Sequence, residues 1–190
     1  RFDVTLLWYE AEEVADELNG LRHLWEQRPD LVDCHLAILM EPTGCWVEAG
    51  CQGTIHAEVV LGGARAHTAR PWMGRNAIHR AGPFLAALAE HGSQTVQVDG
   101  LEYREAVQAV RIAGGVANNV VPDACTITVN RRYAPRDLLD LEAATSEFVA
   151  MLQAAAGPDG CDDIRIVNAS PAAPPNLFNR SEEHTSELQS

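Results

Sequence analysis

From Thr54 to Leu61 the chain alternates strictly enough to leave one solution. Ile55, Ala57, Val59 and Leu61 fall on one side, and Thr54, His56, Glu58 and Val60 on the other. A period of two is the signature of a strand with one covered face and one wetter face. Two stretches downstream read as helices. Asn76 to Glu90 carries Ala77, Ile78, Ala81, Leu85 and Leu88 at helical spacing, with Pro83 inside the run. Leu138, Leu141, Phe148 and Leu152 mark the other. Between and after them, Thr95 to Val98, Val107 to Ile112, Cys125 to Val129 and Ile164 to Ile166 read as strands. The expectation for residues 51–169 is a ferredoxin-like, split βαββαβ domain.

The first fifty residues follow another grammar. Phe2, Val4, Leu6 and Trp8 suggest a largely buried strand, Asp16 to Gln27 a helix ended before Pro29, and Leu36 to Met40 a second buried strand closed by Glu41-Pro-Thr-Gly44. Strand, helix, strand is the unit of a parallel sheet, so the expected class is α/β. The domain boundary is placed near Gly50–Gly53, giving a partial parallel-sheet domain over 1–50. Residues 170–179, rich in proline, read as a return linker. Residues 180–190 change composition abruptly, losing Ala, Gly and Val, and read as a non-native, adapter-like tail excluded from fold reasoning. The expected chain is therefore an internal fragment.

Charge and composition narrow the function classes. The formal net charge is -13, which argues against nucleic acid or an anionic membrane as partner. All 14 basic residues are arginine, a pattern of GC-rich coding more than of function. There is no apolar run long enough for a membrane span and no leader, so a cytoplasmic location is expected. Five cysteines without a C-x-x-C pair argue against a zinc ribbon and for free buried thiols in a reducing compartment.

The carboxylates carry the chemistry. Glu12 and Glu13 follow the first expected strand and Glu41 the second. Strand ends of an open parallel sheet line the ligand crevice. Three carboxylates gathered there repel unless a divalent cation lies between them. One glutamate can then bind metal while its neighbour acts as general base. The competing reading is that Glu10, Glu12, Glu13 and Glu17 suit the dipole of the following helix.

Six stretches, in order, resemble the succinyl-diaminopimelate desuccinylases, zinc-dependent amidohydrolases grouped with acetylornithine deacetylase and carboxypeptidase G. They are Tyr9-Glu-Ala-Glu-Glu13, Met40-Glu-Pro-Thr-Gly44, Gly50-Cys-Gln-Gly53, Arg65 to His79, Gly114 to Asp123, and Val129-Asn-Arg-Arg-Tyr133. The resemblance implies a metallopeptidase-like catalytic domain with an inserted lid and dimerisation domain. It also implies hydrolysis of an N-succinylated diamino diacid in lysine and diaminopimelate biosynthesis, by a homodimer with a small-molecule substrate. Glu12 would be the general base. Glu13 and Glu41 would each hold one of two divalent ions, zinc first and cobalt possible. His67 would reach into the partner's site and steady the oxyanion. Asn119 and Arg132 would grip the substrate's carboxylates, a task the planar arginine fork suits. For Arg131 and Arg132 the alternative is charge that blunts a strand edge. Trp72-Met73-Gly74 reads as packing. Met40, Cys45 and Trp46 depart from the family pattern with bulk near the expected metal site. The family's first metal histidine and bridging aspartate are expected before Arg1 and its last metal histidine beyond the tail, so the chain alone is expected to be inactive. The alternatives are another acyl-amino-acid deacylase or metallo-carboxypeptidase of the group, or a non-catalytic ferredoxin-like dimerisation module.

Overall fold

A computed structural model describes residues 3–12, 18–46, 48–136 and 140–175. The chain divides into two compact units, Arg1–Val47 and Glu48–Ser190.

In the first unit, α1 spans Gly20–Gln27 and is capped by Asn19, whose side chain accepts from the Leu21 and Arg22 amides. The helix expected over 16–27 thus begins four residues later, with residues 13–17 outside the described set. No strand occurs among the described residues of this unit. Residues 3–9 and 36–40 are irregular, and Val4 (76%), Ile38 (77%) and Met40 (93%) are largely exposed. Both segments were expected as buried parallel strands. Such strands need hydrogen-bonded neighbours and helices on both faces, and among the described residues of this unit neither is supplied.

The second unit forms one five-stranded sheet. Its strands are β1 Gly53–Gly62, β3 Ser93–Val98, β4 Leu101–Gly114, β6 Ala124–Tyr133 and β7 Asp163–Ser170. A separate two-stranded ribbon pairs β2 Ala66–His67 with β5 Val120–Val121. The helices are α2, Ala77–His91, after β1, and α3, Leu141–Ala155, after β6. The sheet order is β3-β4-β6-β1-β7, and every neighbouring pair is antiparallel. Without β3 this is the ferredoxin-like βαββαβ arrangement. Strand β3, expected over Thr95 to Val98, hairpins onto the first half of β4 and forms one edge, one strand more than the βαββαβ pattern counts.

Both helices lie on one face, as the alternation in β1 requires. Ile55, Ala57, Val59 and Leu61 are at most 1% exposed and pack with Ile127, Val129 and Tyr133 of β6. Ala77, Ala81, Phe84 and Leu88 of α2 and Ala144, Phe148 and Leu152 of α3 close the core. Each helix starts on a side-chain cap, Asn76 for α2 and Asp140 for α3. Pro83 does not interrupt α2, and it sits on the exposed side. Gly53 allows a close approach: a Cβ there would overlap the Tyr133 ring.

The segments entering and leaving the sheet are clasped. Cys51 and Ala173 exchange two backbone hydrogen bonds, both of 2.9 Å. All five cysteines are free, but Cys34, Cys45 and Cys51 are exposed, not buried as expected. Burial pushes the Cys125 and Cys161 thiols up.

Candidate functional site

The loop after β1 is built to project His67. Gly63 and Gly74 sit at its neck, where Ala64 and Arg75 exchange backbone hydrogen bonds of 2.8 and 2.9 Å. A Cβ at Gly74 would lie 2.6 Å from the Ala64 carbonyl oxygen, so the neck closes this tightly only with glycine. Arginine–aspartate pairs brace the neck at 2.7 Å each: Arg65 with Asp123, Arg75 with Asp159, Arg80 with Asp162. Arg80 is the deepest of the three. Its side chain is 10% exposed, and it donates to the carbonyls of Gly62, Asp159 and Gly160 as well as to Asp162. The Gly62 amide and then Arg80 hold the Asp162 carboxyl below the usual carboxylate range.

Beyond the neck, His67 pairs in register with Val120, and the Thr68 amide donates to the Asn119 carbonyl at 3.0 Å. Two site residues far apart in sequence thus stand side by side, both exposed. The His67 Nδ1 accepts from the Ala69 amide at 3.0 Å. In the neutral ring the proton is therefore on Nε2, available to a ligand oxygen.

Arg132 is elsewhere. It lies on β6 opposite Thr54, close to the start of β1, whereas the His67 ribbon leaves from the far end of that strand. From Ala124, next to the ribbon, to Arg132 is about 26 Å of strand. The two consecutive arginines of the Asn130–Tyr133 stretch divide cleanly. Arg131 faces the helices and is 8% exposed. It donates to the Ala144 carbonyl at 2.6 Å, pairs with Glu147 at 2.9 Å and lies over the Tyr133 ring. Arg132 faces the open side of the sheet, exposed, with no ion-pair partner among the described residues. Neither blunts an edge, because β6 is the central strand.

Glu12 and Glu41 are exposed, and Glu13 lies outside the described residues. Glu12 has interactions of its own. Among the described residues no group of three or more His, Cys, Asp or Glu side chains is placed to hold a metal ion. As described, these residues do not fit a metal ion by themselves. Trp72 (76% exposed) and Met73 (68%), expected as packing, project beside the His67 loop in a short 3-10 turn too small to bury them.

A hollow of about 220 Å³ on the helix side is lined by Glu105, Arg131, Arg136, Glu147 and His91 among others. Four of its charges pair with one another, Arg136 with Glu105 at 3.1 Å and Arg131 with Glu147, while Arg132, which also lines it, has no ion-pair partner among the described residues. The sequence reading missed Arg80 and the Glu105–Arg136 pair. Arg80 had a visible signal, a charge on the stripe that Ala77, Ala81 and Phe84 bury.

A family model described as the peptidase dimerisation domain matches residues 50–160. The chain belongs to the peptidase dimerisation domain family. Among curated relatives of this dimerisation-domain chain, succinyl-diaminopimelate desuccinylase of Corynebacterium glutamicum is 44% identical over 86% of it and 43% of the relative. A Mycobacterium tuberculosis protein carrying the same desuccinylase name provisionally is 48% identical over 70% of this chain and 38% of its own length. The chain thus spans about two fifths of the length of these relatives. Among solved structures, an aminobenzoyl-glutamate utilization protein from Klebsiella pneumoniae superposes with a TM-score of 0.52 at 21% identity, covering 68% of this chain and 34% of that one. That likeness concerns the fold. No helix among the described residues is long and apolar enough to cross a membrane.

Proposed function

We propose that this chain is part of an amide hydrolase that releases succinate from N-succinyl-LL-diaminopimelate and works as a homodimer. The observation that carries the reading is the 44% identity to the Corynebacterium glutamicum desuccinylase across 86% of the chain. The geometry supports the dimer in two ways. First, His67 and Asn119 stand together while Arg132 is about 26 Å of strand away, so one chain does not bring all three to one substrate. Two copies do, if the His67 ribbon of each reaches the other's Arg132. Second, β3 covers β4 only from Leu101 to Ala106. From Val107 to Gly114 the outer edge of β4 has no partner among the described residues. That edge has no proline and only Arg111 as a charge, and it exposes Val110 and Ile112, with the half-exposed Ile78 of α2 against Gly114 at its end. An unguarded edge of this kind is a template for strand pairing. Pairing with its own copy is antiparallel and isologous, which closes a two-fold dimer.

In this reading Arg132 and Asn119 orient the substrate through its carboxylates. Glu12 takes the proton of the attacking water and passes it to the leaving nitrogen. The Nε2–H of His67 donates to the oxyanion of the tetrahedral intermediate. Two divalent ions, zinc first, are implied by the resemblance, with Glu13 and Glu41 as this chain's contribution, and no step is assigned through them here. The non-catalytic dimerisation module predicts no turnover in any version of the protein.

The test is product analysis on a version extended to the length of its relatives. Succinate release from N-succinyl-LL-diaminopimelate is expected, abolished by Glu12→Gln. Preference for N-acetylornithine or a dipeptide would replace this reading with the deacylase or carboxypeptidase one. The 190-residue chain alone is expected to give no turnover.

A further inference from the structure

The turn between α3 and β7 grips both sides of the neck that carries the His67 loop. On the outgoing side, the Gly62 amide donates to Asp162 Oδ2 at 2.5 Å, and the Asp162 amide donates to the Val60 carbonyl at 2.9 Å. On the returning side, Arg75 pairs with Asp159 at 2.7 Å. Arg80, in the first turn of α2, ties the two sides together. One of its terminal nitrogens donates to the Gly62 carbonyl at 2.5 Å and to Asp162 Oδ2 at 2.7 Å. The other donates to the Gly160 carbonyl at 2.8 Å and the Asp159 carbonyl at 3.1 Å. All four terminal N–H groups are thus engaged. A guanidinium only donates, and carbonyls and an ionised carboxylate only accept, so this pattern has a single assignment. The fit is close, since a Cβ at Gly62 would lie 2.7 Å from Asp162 Oδ1.

Burying a cation to this depth costs free energy that only a full set of partners offsets. The helix does not need it to stay on the sheet, because Ala77, Ala81, Phe84 and Leu88 already seat it in the apolar core. What the guanidinium fixes is the exit of β1, shortly before His67. From there to His67 the chain has no slack. The Gly63 amide donates to the Asp123 carbonyl at 2.8 Å, Ala64 bridges to Arg75, and Arg65 pairs with Asp123. Ala66 and His67 then pair with Val121 and Val120. The extended chain from Gly62 to His67 spans up to about 17 Å, so a tilt of about 4° at Gly62 moves His67 by up to about 1 Å. A misplacement of that size lowers a rate by as much as about a hundredfold.

We propose that Arg80 is a positioning residue for His67. Its clamp on Gly62 and on the Asp159–Asp162 turn sets where the imidazole Nε2–H meets the substrate oxyanion. The inference rests on the oxyanion role proposed for His67 and adds the device that aims it. Because His67 acts on the tetrahedral intermediate and not on the bound substrate, loss of the clamp falls on kcat and spares KM.

The test has two readouts: amide hydrogen exchange in the 190-residue chain, and turnover of N-succinyl-LL-diaminopimelate by the version extended to the length of its relatives. Arg80→Lys keeps the charge but replaces the planar fork by one nitrogen. It should speed exchange of the Thr68 and Ala69 amides about tenfold, leaving Val59 and Ile127 in the core unchanged. It should lower kcat about tenfold with KM within about twofold. Asp162→Asn retains one acceptor oxygen and should give about threefold in both readouts; it carries the test if Arg80→Lys also loosens the core. His67→Ala should lower kcat at least about a hundredfold, and adding either clamp variant to it should cost no more than about a further twofold. Unchanged exchange at Thr68 and Ala69, a loss confined to KM, or a clamp effect as large without His67 as with it overturns the positioning role and leaves the oxyanion role of His67 standing. Wild-type turnover in His67→Ala overturns the oxyanion role and the proposal with it.

Discussion

Replacing each arginine of the Arg131–Arg132 pair by methionine separates a structural role from a binding role at adjacent positions. Methionine keeps most of the apolar stem and removes the guanidinium. At Arg131 the loss is a 2.6 Å hydrogen bond to a buried helix carbonyl, a 2.9 Å ion pair to Glu147 and contact with the Tyr133 ring. A hydrogen bond from a charged donor contributes about 1.5–3 kcal/mol. The Ala144 carbonyl keeps its place in the α3 ladder, which favours the lower half of that range. Glu147 is half exposed, so its pair adds well under 1 kcal/mol. The total for Arg131→Met is about 2–3 kcal/mol, or roughly 10 °C in Tm for a unit of this size. At Arg132 the guanidinium has no ion-pair partner among the described residues, so Arg132→Met should stay within about 0.5 kcal/mol. Urea and thermal melts followed by circular dichroism measure both. A cost below about 1 kcal/mol at Arg131, or a larger cost at Arg132 than at Arg131, would refute the division of labour read from the two faces of β6.

Phe148→Ala, at a position with no exposure in the centre of α3, should cost about 3–4 kcal/mol in the same melts. Asp162→Asn tests the neck of the His67 loop. The Asp162 carboxyl is held below its unfolded value by the Gly62 amide and Arg80, so its contribution is present above about pH 4 and is lost as pH falls further. The side chain is half exposed, so the wild type should exceed the variant by only about 1 kcal/mol at pH 6, the gap closing towards pH 3. A gap that is constant with pH would remove the carboxylate from the account. Ile112→Lys, on the unpaired part of β4, should weaken self-association at least about tenfold in sedimentation velocity without changing the fold. Unchanged association would move the dimer contact elsewhere.

What could be read in the residues was what their own neighbours decide. β1 was legible because alternation needs no knowledge of the partner strand. α2 and α3 were legible because Ala77, Ala81, Leu88, Phe148 and Leu152 recur at helical spacing. The failures have one cause in common. Phe2 to Trp8 and Leu36 to Met40 look like buried strands only if a sheet exists to receive them, and an apolar run cannot report that. Strand β3 was legible over Thr95 to Val98, from Val96 and Val98; its first residues, Ser93 to Thr95, are polar and exposed and are strand only through the hairpin with β4. At the site, the proximity of His67 and Asn119 depends on a two-residue ribbon with no periodicity to detect. The contrast between Arg131 and Arg132 was latent in the alternation of β6, since neighbours on a strand must face opposite ways.

The clasp between Cys51 and Ala173 makes the sheet unit a closed cassette. Its two connections leave as adjacent threads, so deleting everything between them would leave a gap that a very short turn could span. A module tethered in that way can be excised, transplanted into a host loop or given new termini with little strain, because its fold does not depend on how far apart its flanking segments are held.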